Sequence, residues 1–179
     1  RNSATIKFGI VSGVSIINDV SALKNDRQSL ETLKNSNVPI VLMHMPGNPK
    51  SMMSFKNKYE NVLLDVFDFL EERIEFCESN GINKNRIIID PGIGFGKSSK
   101  ENIKLIKNIS IFHSLGCPVM LGVSRKSIIP KITKSNDDSR LGGSLSFELH
   151  SFNQGVQIFR VHDVQETKQA LDIWQNLES

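Results

Sequence analysis

The sequence predicts an α/β fold of parallel β/α units, and three observations carry this prediction. Short apolar segments rich in β-branched residues recur along the chain. Longer segments whose apolar residues repeat at helical spacing lie between them, and glycine, proline or polar residues separate the two kinds. Such alternation is typical of a parallel sheet with right-handed crossovers. It leaves two architectures open: an open, doubly wound sheet of five strands, or part of a (β/α)8 barrel.

The third predicted strand, residues 86–90, is the clearest of the five. Three consecutive isoleucines in it indicate a strand buried on both faces. Asp90 stands where the strand ends, because Pro91 has no N–H to donate to a sheet. Three alternating glycines then allow the backbone to pass close to a ligand, and Lys97 closes the loop. The other strands are predicted at residues 15–17, 38–43, 118–122 and 157–161.

Helical segments precede, separate and follow these strands. They are predicted over residues 3–12, 26–36, 57–80, 100–114, 126–133, 138–154 and 165–178. Asp26 is a plausible N-cap of the second helix, and Gly81 is the stop signal of the longest one. That longest helix has an apolar stripe made of Tyr59, Val62, Leu63, Val66, Leu70, Ile74 and Cys77. In the last helix, the residues expected to face inward are Ala170, Leu171, Trp174 and Leu177.

Composition narrows the class of protein. The 179 residues are 39% hydrophobic and 23% charged, which fits one globular domain over residues 1–179. A net charge of +3 without a basic run predicts no nucleic-acid surface. The sequence has no apolar run of the roughly 18 residues that a membrane span needs. Cys77 and Cys117 are predicted to be buried free thiols in a reducing compartment, and we expect a cytoplasmic protein.

Polar residues follow all five predicted strands, and the carboxyl ends of parallel strands are where sites form. These residues are Asn18 with Asp19, His44, Asp90, residues 124–126 and residues 160–162. A buried Asp90 would offer two acceptor oxygens to an amino-pyrimidine edge, although Asp-Pro is also a common start of a turn. Asn18 has the same ambiguity, with an amide that can donate and accept.

Cationic residues end the last two strands. Arg160 and His162 are two apart on an extended segment, so they are expected to face the same side and to suit a phosphate. The alternative is that Arg160 pairs with a structural carboxylate such as Asp163. Lys126 lies near a predicted helix start, where the helix dipole makes a positive charge unfavourable. This position favours the interpretation that Lys126 binds a ligand. Met43 ends its strand and could flank a planar ring, although methionine is most often a packing residue.

Known phosphate and nucleophile motifs fail here by one residue each. A P-loop ending at residues 96–98 needs glycine where Pro91 stands, and a dinucleotide fingerprint needs glycine where Lys97 stands. A nucleophile elbow around Ser124 needs glycine where Lys126 stands. We therefore predict no covalent nucleophile.

Five segments together resemble the dihydropteroate synthase family, whose members join p-aminobenzoate to a pterin. They occur in the order found in the family and span nearly the whole chain. The segments are residues 16–20 (IINDV), 42–49 (LMHMPGNP), 90–97 (DPGIGFGK), 122–127 (GVSRKS) and 160–164 (RVHDV).

The resemblance implies roles for individual residues. The positions that match those hydrogen-bonding the pterin are Asn18, Asp90 and Lys126. The positions that line the same pocket are Met43 and Gly122. Arg160 and His162 match the pair that binds the pyrophosphate, and Phe95 and Ser127 match positions flanking p-aminobenzoate. The residues expected to take part in catalysis are Asp90, Lys126, Arg160 and His162.

The resemblance also implies a (β/α)8 barrel, usually a homodimer, of which about five of eight strands have a counterpart here. We therefore expect residues 1–179 to be the C-terminal part of a pterin-binding barrel, inactive alone because N-terminal loops are missing. The main protein ligand of a magnesium ion is expected in one of those loops. Smaller departures from the family are Pro130, and Glu148 with His150, which concern local packing.

Two other functions stay open at this stage. One is a pterin-binding methyltransferase-type barrel, which shares the pterin-binding Asn and Asp but does not need residues 124–127 beside an Arg-Val-His segment. The other is a non-catalytic pterin-binding module.

Overall fold

The structure is a computed structural model, and it describes residues 1–55, 59–133 and 139–178. Within those residues it contains short strands that alternate with helices, as predicted. The strands are β1 (Ile17–Asp19), β2 (Ile40–Met43), β3 (Ile87–Asp90), β4 (Met120–Leu121) and β5 (Ile158–Phe159). The helices are α1 (Ser3–Val11), α2 (Gln28–Lys34), α3 (Val62–Ser79), α4 (Ser99–Lys107), α5 (Ile128–Thr133), α6 (Leu141–Asn153) and α7 (Val164–Glu178). Short 3-10 helices lie at Met52–Phe55, Lys84–Arg86 and Ile109–Leu115.

The strands are parallel and stand side by side in chain order. β1 pairs with β2, β2 with β3, and β4 with β5. A parallel bridge between Ile89 and Val119 joins the two groups, and the Ile89 amide donates to the Pro118 carbonyl at 2.9 Å. Because the order never reverses, the sheet is an arc of a barrel rather than the open doubly wound alternative.

The two faces of the sheet bury different side chains because strand residues alternate. Ile40, Leu42, Ile87 and Ile89 face the helices and belong to the main apolar core. On the opposite, inner face lies a small cluster made of Val41, Ile88 and Met120, with Ile158 packed against it. β2 and β3 are buried on both faces, which confirms the prediction from the three isoleucines.

Helix α3 covers the sheet with most of its predicted stripe. Val66, Leu70, Ile74 and Cys77 are buried, and each of the three aliphatic side chains contributes on the order of 1.5–3 kcal/mol of burial free energy. The predicted start at residue 57 is wrong, because the Asn61 side chain caps the helix by accepting from the Leu63 amide. Tyr59 therefore precedes the helix, and residues 57 and 58 lie outside the described residues.

Other helix boundaries also differ from prediction. The single helix predicted over residues 100–114 is an α-helix to Lys107 followed by a 3-10 helix. Asp26 accepts from the Gln28 amide at 2.9 Å as a cap would, but it also accepts from the Ser3 amide at 2.7 Å, so it joins α1 to α2. Leu177 is 74% exposed, so its prediction as an inward residue is wrong.

Two further predictions concern the cysteines and the membrane. Cys77 and Cys117 are buried free thiols, as predicted, and burial raises the pKa of Cys77 to about 11. Among the helices of the described residues, none is long and apolar enough to cross a membrane.

Candidate functional site

The candidate site lies at the carboxyl ends of the strands, on the inner face of the sheet. Asn18 is in register with Val41, and Met43 with Asp90, so alternation places these residues on that face. Gly122 and Arg160 are two residues beyond Met120 and Ile158, which are also in register. The Arg160 amide donates to the Leu121 carbonyl at 2.9 Å, so the ladder extends to Arg160. The fold thus brings together residues from all five strand ends of the described residues, among which Gly122 contributes backbone only.

Asp90 is the buried acid of this site. It is 6% exposed, and one carboxylate oxygen accepts from the Gly92 amide at 2.7 Å. Burial raises the pKa of Asp90 from 3.8 to about 6, against the opposing effects of the Gly92 amide and of the charges of Lys97, Lys126 and Arg160. Asp90 is therefore a carboxylate surrounded by cations and ready to accept from a donor on the inner face.

The glycine loop after β3 is packed against the chain that follows β2. A Cβ at Gly92 would lie 1.9 Å from the His44 carbonyl oxygen, and one at Gly96 would lie 2.4 Å from Pro46 Cγ. Both glycines also have positive φ, +69° and +61°. The loop therefore depends on the absence of side chains at these points, while the side chain of Phe95 is half-buried between them.

Lys126 points into the site, as the unfavourable helix-dipole position suggested. Its ammonium nitrogen lies 4.5 Å from the centre of the Phe95 ring. Its Cδ would be 3.3 Å from a Cβ at Gly94, so the lysine stem lies across the glycine loop. Burial lowers the pKa of Lys126, and the nearby Asp90 opposes that shift. Ser127, which follows it, lines a small cavity between the glycine loop and α5.

The ends of β4 and β5 are joined through Ser124. Its hydroxyl oxygen accepts from the His162 amide at 3.2 Å and lies 3.1 Å from His162 Nδ1. Arg125 has a positive φ of 56°, and its guanidinium forms a salt bridge with Asp163. The alternative that Arg160 pairs with Asp163 is therefore wrong, because Arg125 holds that carboxylate. Arg160 and His162 are both exposed.

The turn after β1 shows how Asn18 is placed. Asp19 is fully buried and accepts from the Ser21 amide at 2.9 Å and the Leu23 amide at 3.0 Å. The turn that it closes has two non-glycine residues with positive φ, Ala22 and Leu23. Asp19 is thus a structural carboxylate, while its neighbour Asn18 stays exposed at the strand end.

Arg73 of α3 supports the same turn and was missed from the sequence. It is 6% exposed, and its Nε donates to the Ala22 carbonyl at 3.0 Å. Its guanidinium also lies 4.1 Å from the centre of the Phe76 ring. The available signal was its position, because it follows Val66 and Leu70 at helical spacing and so falls on the apolar face of α3.

Known proteins are similar to this chain in sequence and in fold. A family profile described as "Pterin binding enzyme" matches residues 1–162. The chain belongs to the pterin-binding enzyme family. This result agrees with the resemblance carried by the five segments.

Individual members of the pterin-binding family extend this likeness. Dihydropteroate synthase of Haemophilus influenzae is 41% identical over 163 residues, which are 91% of this chain and 58% of that protein. Dihydropteroate synthase of Xanthomonas albilineans with 4-aminobenzoic acid superposes with a TM-score of 0.91 at 37% identity, over 99% of this chain and 62% of that one. The complex of a Xanthomonas albilineans enzyme with 7,8-dihydropteroate superposes with a TM-score of 0.90 at 36% identity, over 99% of this chain and 64% of that one. The TIM-barrel prediction is thus confirmed, and the chain spans less than two thirds of these relatives.

The described residues do not form a metal centre of their own. No group of three or more His, Cys, Asp or Glu side chains in residues 1–55, 59–133 and 139–178 could hold a metal ion. Asp19 and Asp90, the carboxylates at strand ends, accept from backbone amides instead. The residues present therefore do not fit a magnesium site by themselves, and we assign no chemical step to magnesium on this chain.

Proposed function

We propose that the protein carrying this chain is a dihydropteroate synthase. It would condense 6-hydroxymethyl-dihydropterin pyrophosphate with p-aminobenzoate to give dihydropteroate and pyrophosphate in folate biosynthesis. The observation that carries the proposal is the buried carboxylate of Asp90, set at a strand end within the field of Lys126 and Arg160. Relatives named dihydropteroate synthase support it, as does the solved complex of such an enzyme with 7,8-dihydropteroate.

The reaction needs positioning and charge stabilisation rather than a protein nucleophile. The aniline nitrogen forms a bond to the pterin methylene carbon, the carbon–oxygen bond to pyrophosphate breaks, and its electron pair leaves on oxygen. The secondary ammonium formed in this way then loses one proton to solvent and becomes the neutral secondary amine of the product. Holding the two substrates in line and stabilising the leaving anion account for most of the rate enhancement of such a reaction.

The pterin half of the cleft is assigned to the inner face. Asp90 would accept from the amino-pyrimidine edge, and Asn18 and Lys126 would bond the other ring atoms. Met43, which is 2% exposed, would lie against the ring, and Gly122 gives the ring room because it has no side chain. These groups come from four different strand ends, those of β1 to β4, which agrees with sites in this class of fold.

The second half of the cleft is assigned to the aromatic substrate and the leaving group. Phe95 would contact p-aminobenzoate, and Ser127 would lie near its carboxylate. Arg160 and His162 would bind the pyrophosphate, because both are exposed at the end of β5 and the charge of Arg160 acts on Asp90.

Several broader expectations belong to the same proposal. Residues 1–179 would be one domain, the C-terminal part of a barrel, as the order of the five resembling segments implies, and the chain spans 58% of its Haemophilus relative. The main protein ligand of a magnesium ion would lie outside these residues. The protein would be a homodimer in the cytoplasm and would bind neither nucleic acid nor membrane.

The test is a direct assay of the full-length protein that carries these residues. With the pterin pyrophosphate, magnesium and p-aminobenzoate, it should release pyrophosphate and form dihydropteroate. Binding of the pterin without release of pyrophosphate would instead favour a non-catalytic pterin-binding module. Methyl transfer from a methylated tetrahydrofolate would favour the methyltransferase-type barrel.

A variant separates the roles within the site. Arg160→Ala should weaken binding of the pyrophosphate-bearing pterin by about tenfold or more, and that of the bare pterin far less, because a charge-assisted contact to the anion is lost. The matched control is Lys168→Ala, which removes an exposed cation of α7. Equal weakening of both ligands would contradict the role given to Arg160.

A further inference from the structure

Lys97 is a buried cation whose contacts all lie within the protein. It is 3% exposed, and its ammonium nitrogen lies 2.9 Å from His44 Nδ1, 2.9 Å from the Gly92 carbonyl oxygen and 3.1 Å from that of Phe95. The sequence places Lys97 beside a glycine loop, where a lysine would ordinarily suit a phosphate. In the structure this lysine turns inward and binds the loop itself.

The three shortest contacts, to His44 Nδ1 and to the carbonyl oxygens of Gly92 and Phe95, match the three N–H groups of an ammonium, and the His44 carbonyl oxygen lies farther away at 3.4 Å. The two carbonyl oxygens can only accept, so Lys97 donates to both. The third N–H points at His44 Nδ1, which accepts when the imidazole is neutral and carries its proton on Nε2. His44 is 5% exposed, and burial together with the charge of Lys97 lowers its pKa to about 2. A neutral His44 is therefore the partner that this arrangement requires.

The bond joins two segments that are far apart in sequence. His44 directly follows β2, and its amide donates to the Asp90 carbonyl at 2.9 Å. Phe95 lies at the tip of the glycine loop, where its amide donates to the Gly92 carbonyl at 3.1 Å. Asn102 of α4 supports the other side of the loop by accepting from the Gly94 amide at 2.7 Å. Lys97 is thus the link between the end of β2 and the backbone that carries Phe95.

We propose that Lys97 and His44 are positioning residues for the second, aromatic substrate. Their buried hydrogen bond fastens the glycine loop to the end of β2 and so sets where Phe95 and, above it, Lys126 can lie. The proposal rests on the proposed function, since it assigns the aromatic substrate to Phe95. It gives Lys97 no contact with either substrate.

The first test replaces Lys97 in the full-length protein. Lys97→Met keeps the length of the stem and removes the three donors. We expect the KM for p-aminobenzoate to rise about tenfold or more, because a small misplacement of a positioning group has large effects. The Kd of the pterin pyrophosphate should rise by about threefold at most, an effect of the lost Lys97 charge on Asp90. Lys100→Met, at an exposed lysine of α4, is the matched control and should change neither constant. A KM for p-aminobenzoate that stays at the wild-type value would overturn the proposal, as would equal effects on both ligands.

A second pair of variants tests the bond from the other side. His44→Asn places an acceptor oxygen near the position of Nδ1 and should retain the wild-type KM within about threefold, whereas His44→Leu should behave like Lys97→Met. If Lys97→Met does not fold, this pair decides the outcome. Similar KM values in the Asn and Leu variants would count against the proposal.

A spectroscopic readout separates this proposal from the proposed function. In the wild type, imidazole ¹⁵N resonances should show His44 neutral with its proton on Nε2, and hydrogen exchange at the Phe95 amide should be slow. Exchange should become at least about tenfold faster in Lys97→Met and stay unchanged in Lys100→Met. A wild type that forms no dihydropteroate would refute the synthase function, and the exchange data would still confirm or refute the fastening of the loop.

Discussion

The ammonium nitrogen of Lys126 lies 4.5 Å from the centre of the Phe95 ring, while the charge of the same lysine acts on Asp90. One side chain therefore connects the acid at the end of β3 to the aromatic ring at the tip of the glycine loop. In the proposed cleft these two groups belong to different substrates. Lys126 stands at the junction, where the new bond would form.

Replacing Lys126 by methionine tests this junction. Lys126→Met keeps most of the stem over Phe95 but removes the charge beside Asp90. We expect kcat/KM for dihydropteroate formation to fall about 100-fold or more, a usual cost of losing one stabilising group in an active site. Steady-state kinetics on the full-length protein measure it. Lys107→Met, at an exposed lysine of α4, is the control and should keep the wild-type rate.

Asp90 should make pterin binding depend on pH. Its pKa is raised to about 6, so the carboxylate that accepts from the pterin is lost as the pH falls through about 6. We expect the affinity for pterin to fall about tenfold per pH unit well below that value, since one proton competes with the ligand. Calorimetry between pH 4.5 and 6.5 measures it, and the lower part of this range is the informative one, because burial lowers the pKa of Lys97 to about 7 and that lysine is mainly protonated there.

The variant Asp90→Asn provides the control for this pH dependence. An amide does not titrate, so its affinity for pterin should be weak and nearly constant over the same range. A wild type whose affinity is equally constant, or an Asn variant that retains the slope, would show that another group titrates.

The strand ends of this site were predictable because they follow from local rules. Runs of β-branched residues fix the strands, and a period of two fixes the face on which Asp90 and Arg160 lie. The partner of His44 was not predictable. Lys97 is 53 residues away, and nothing local distinguishes a lysine that binds carbonyl groups from one that binds a phosphate.

Helix boundaries and salt-bridge partners were predicted less well than the strands, again because contacts between specific side chains decide them. Tyr59 continues the apolar period of α3, so periodicity alone extends the helix past Asn61, whose side chain caps it. Asp163 is close in sequence to Arg160, but Arg125 reaches it from the neighbouring β4 end. In both cases a hydrogen bond or a salt bridge determines the arrangement. The pattern of apolar residues is compatible with either alternative, so it could not predict the outcome.

The glycine loop predicts a large effect of one methyl group. In Gly92→Ala the new Cβ would meet the His44 carbonyl oxygen at 1.9 Å, and alanine is strained at a φ of +69°. We expect a loss of about 2–4 kcal/mol in the free energy of unfolding, measured by urea denaturation. Gly142→Ala is the matched control, because no described atom lies within 4 Å of its Cβ. That change in the first turn of α6 should alter the free energy of unfolding by no more than about 0.5 kcal/mol. Equal effects at both glycines would refute the close packing of the loop.

Glu148 should lower stability at neutral pH. It is 1% exposed between α6 and α7, accepts from the Thr167 hydroxyl at 2.9 Å, and has a pKa that burial raises above 4.5. The folded state therefore holds this proton more tightly than the unfolded state does. Its contribution to stability is present below pH 4.5 and is lost as the pH rises through the raised pKa.

The variant Glu148→Gln removes that dependence. It keeps an acceptor for Thr167 and has no charge to desolvate, so it should be more stable than the wild type at pH 8 and nearly equal at pH 4. Urea denaturation at the two pH values measures the difference. Glu75→Gln, at an exposed position of α3, should change stability equally little at both. A gain that does not vary with pH would contradict the burial of a charge at Glu148.

Arg73 should matter to the pterin site although it lies on the far side of the sheet. It is the buried donor to the Ala22 carbonyl, in the turn that follows Asn18 and has positive φ at two residues. Arg73→Met keeps the apolar stem and leaves that carbonyl without its donor. We expect a loss of about 1–3 kcal/mol in the free energy of unfolding. Because the turn also fixes the end of β1, the affinity for pterin should fall by about threefold or more at a temperature where the variant remains folded.

Stability and binding must be measured together for this variant. Urea denaturation gives the first, and calorimetry with the pterin gives the second. Arg27→Met, at an exposed arginine before α2, is the control and should alter neither. A variant that loses stability but binds pterin as the wild type does would show that the turn supports the fold without positioning Asn18. A variant that loses neither would show that the Ala22 carbonyl does not need Arg73.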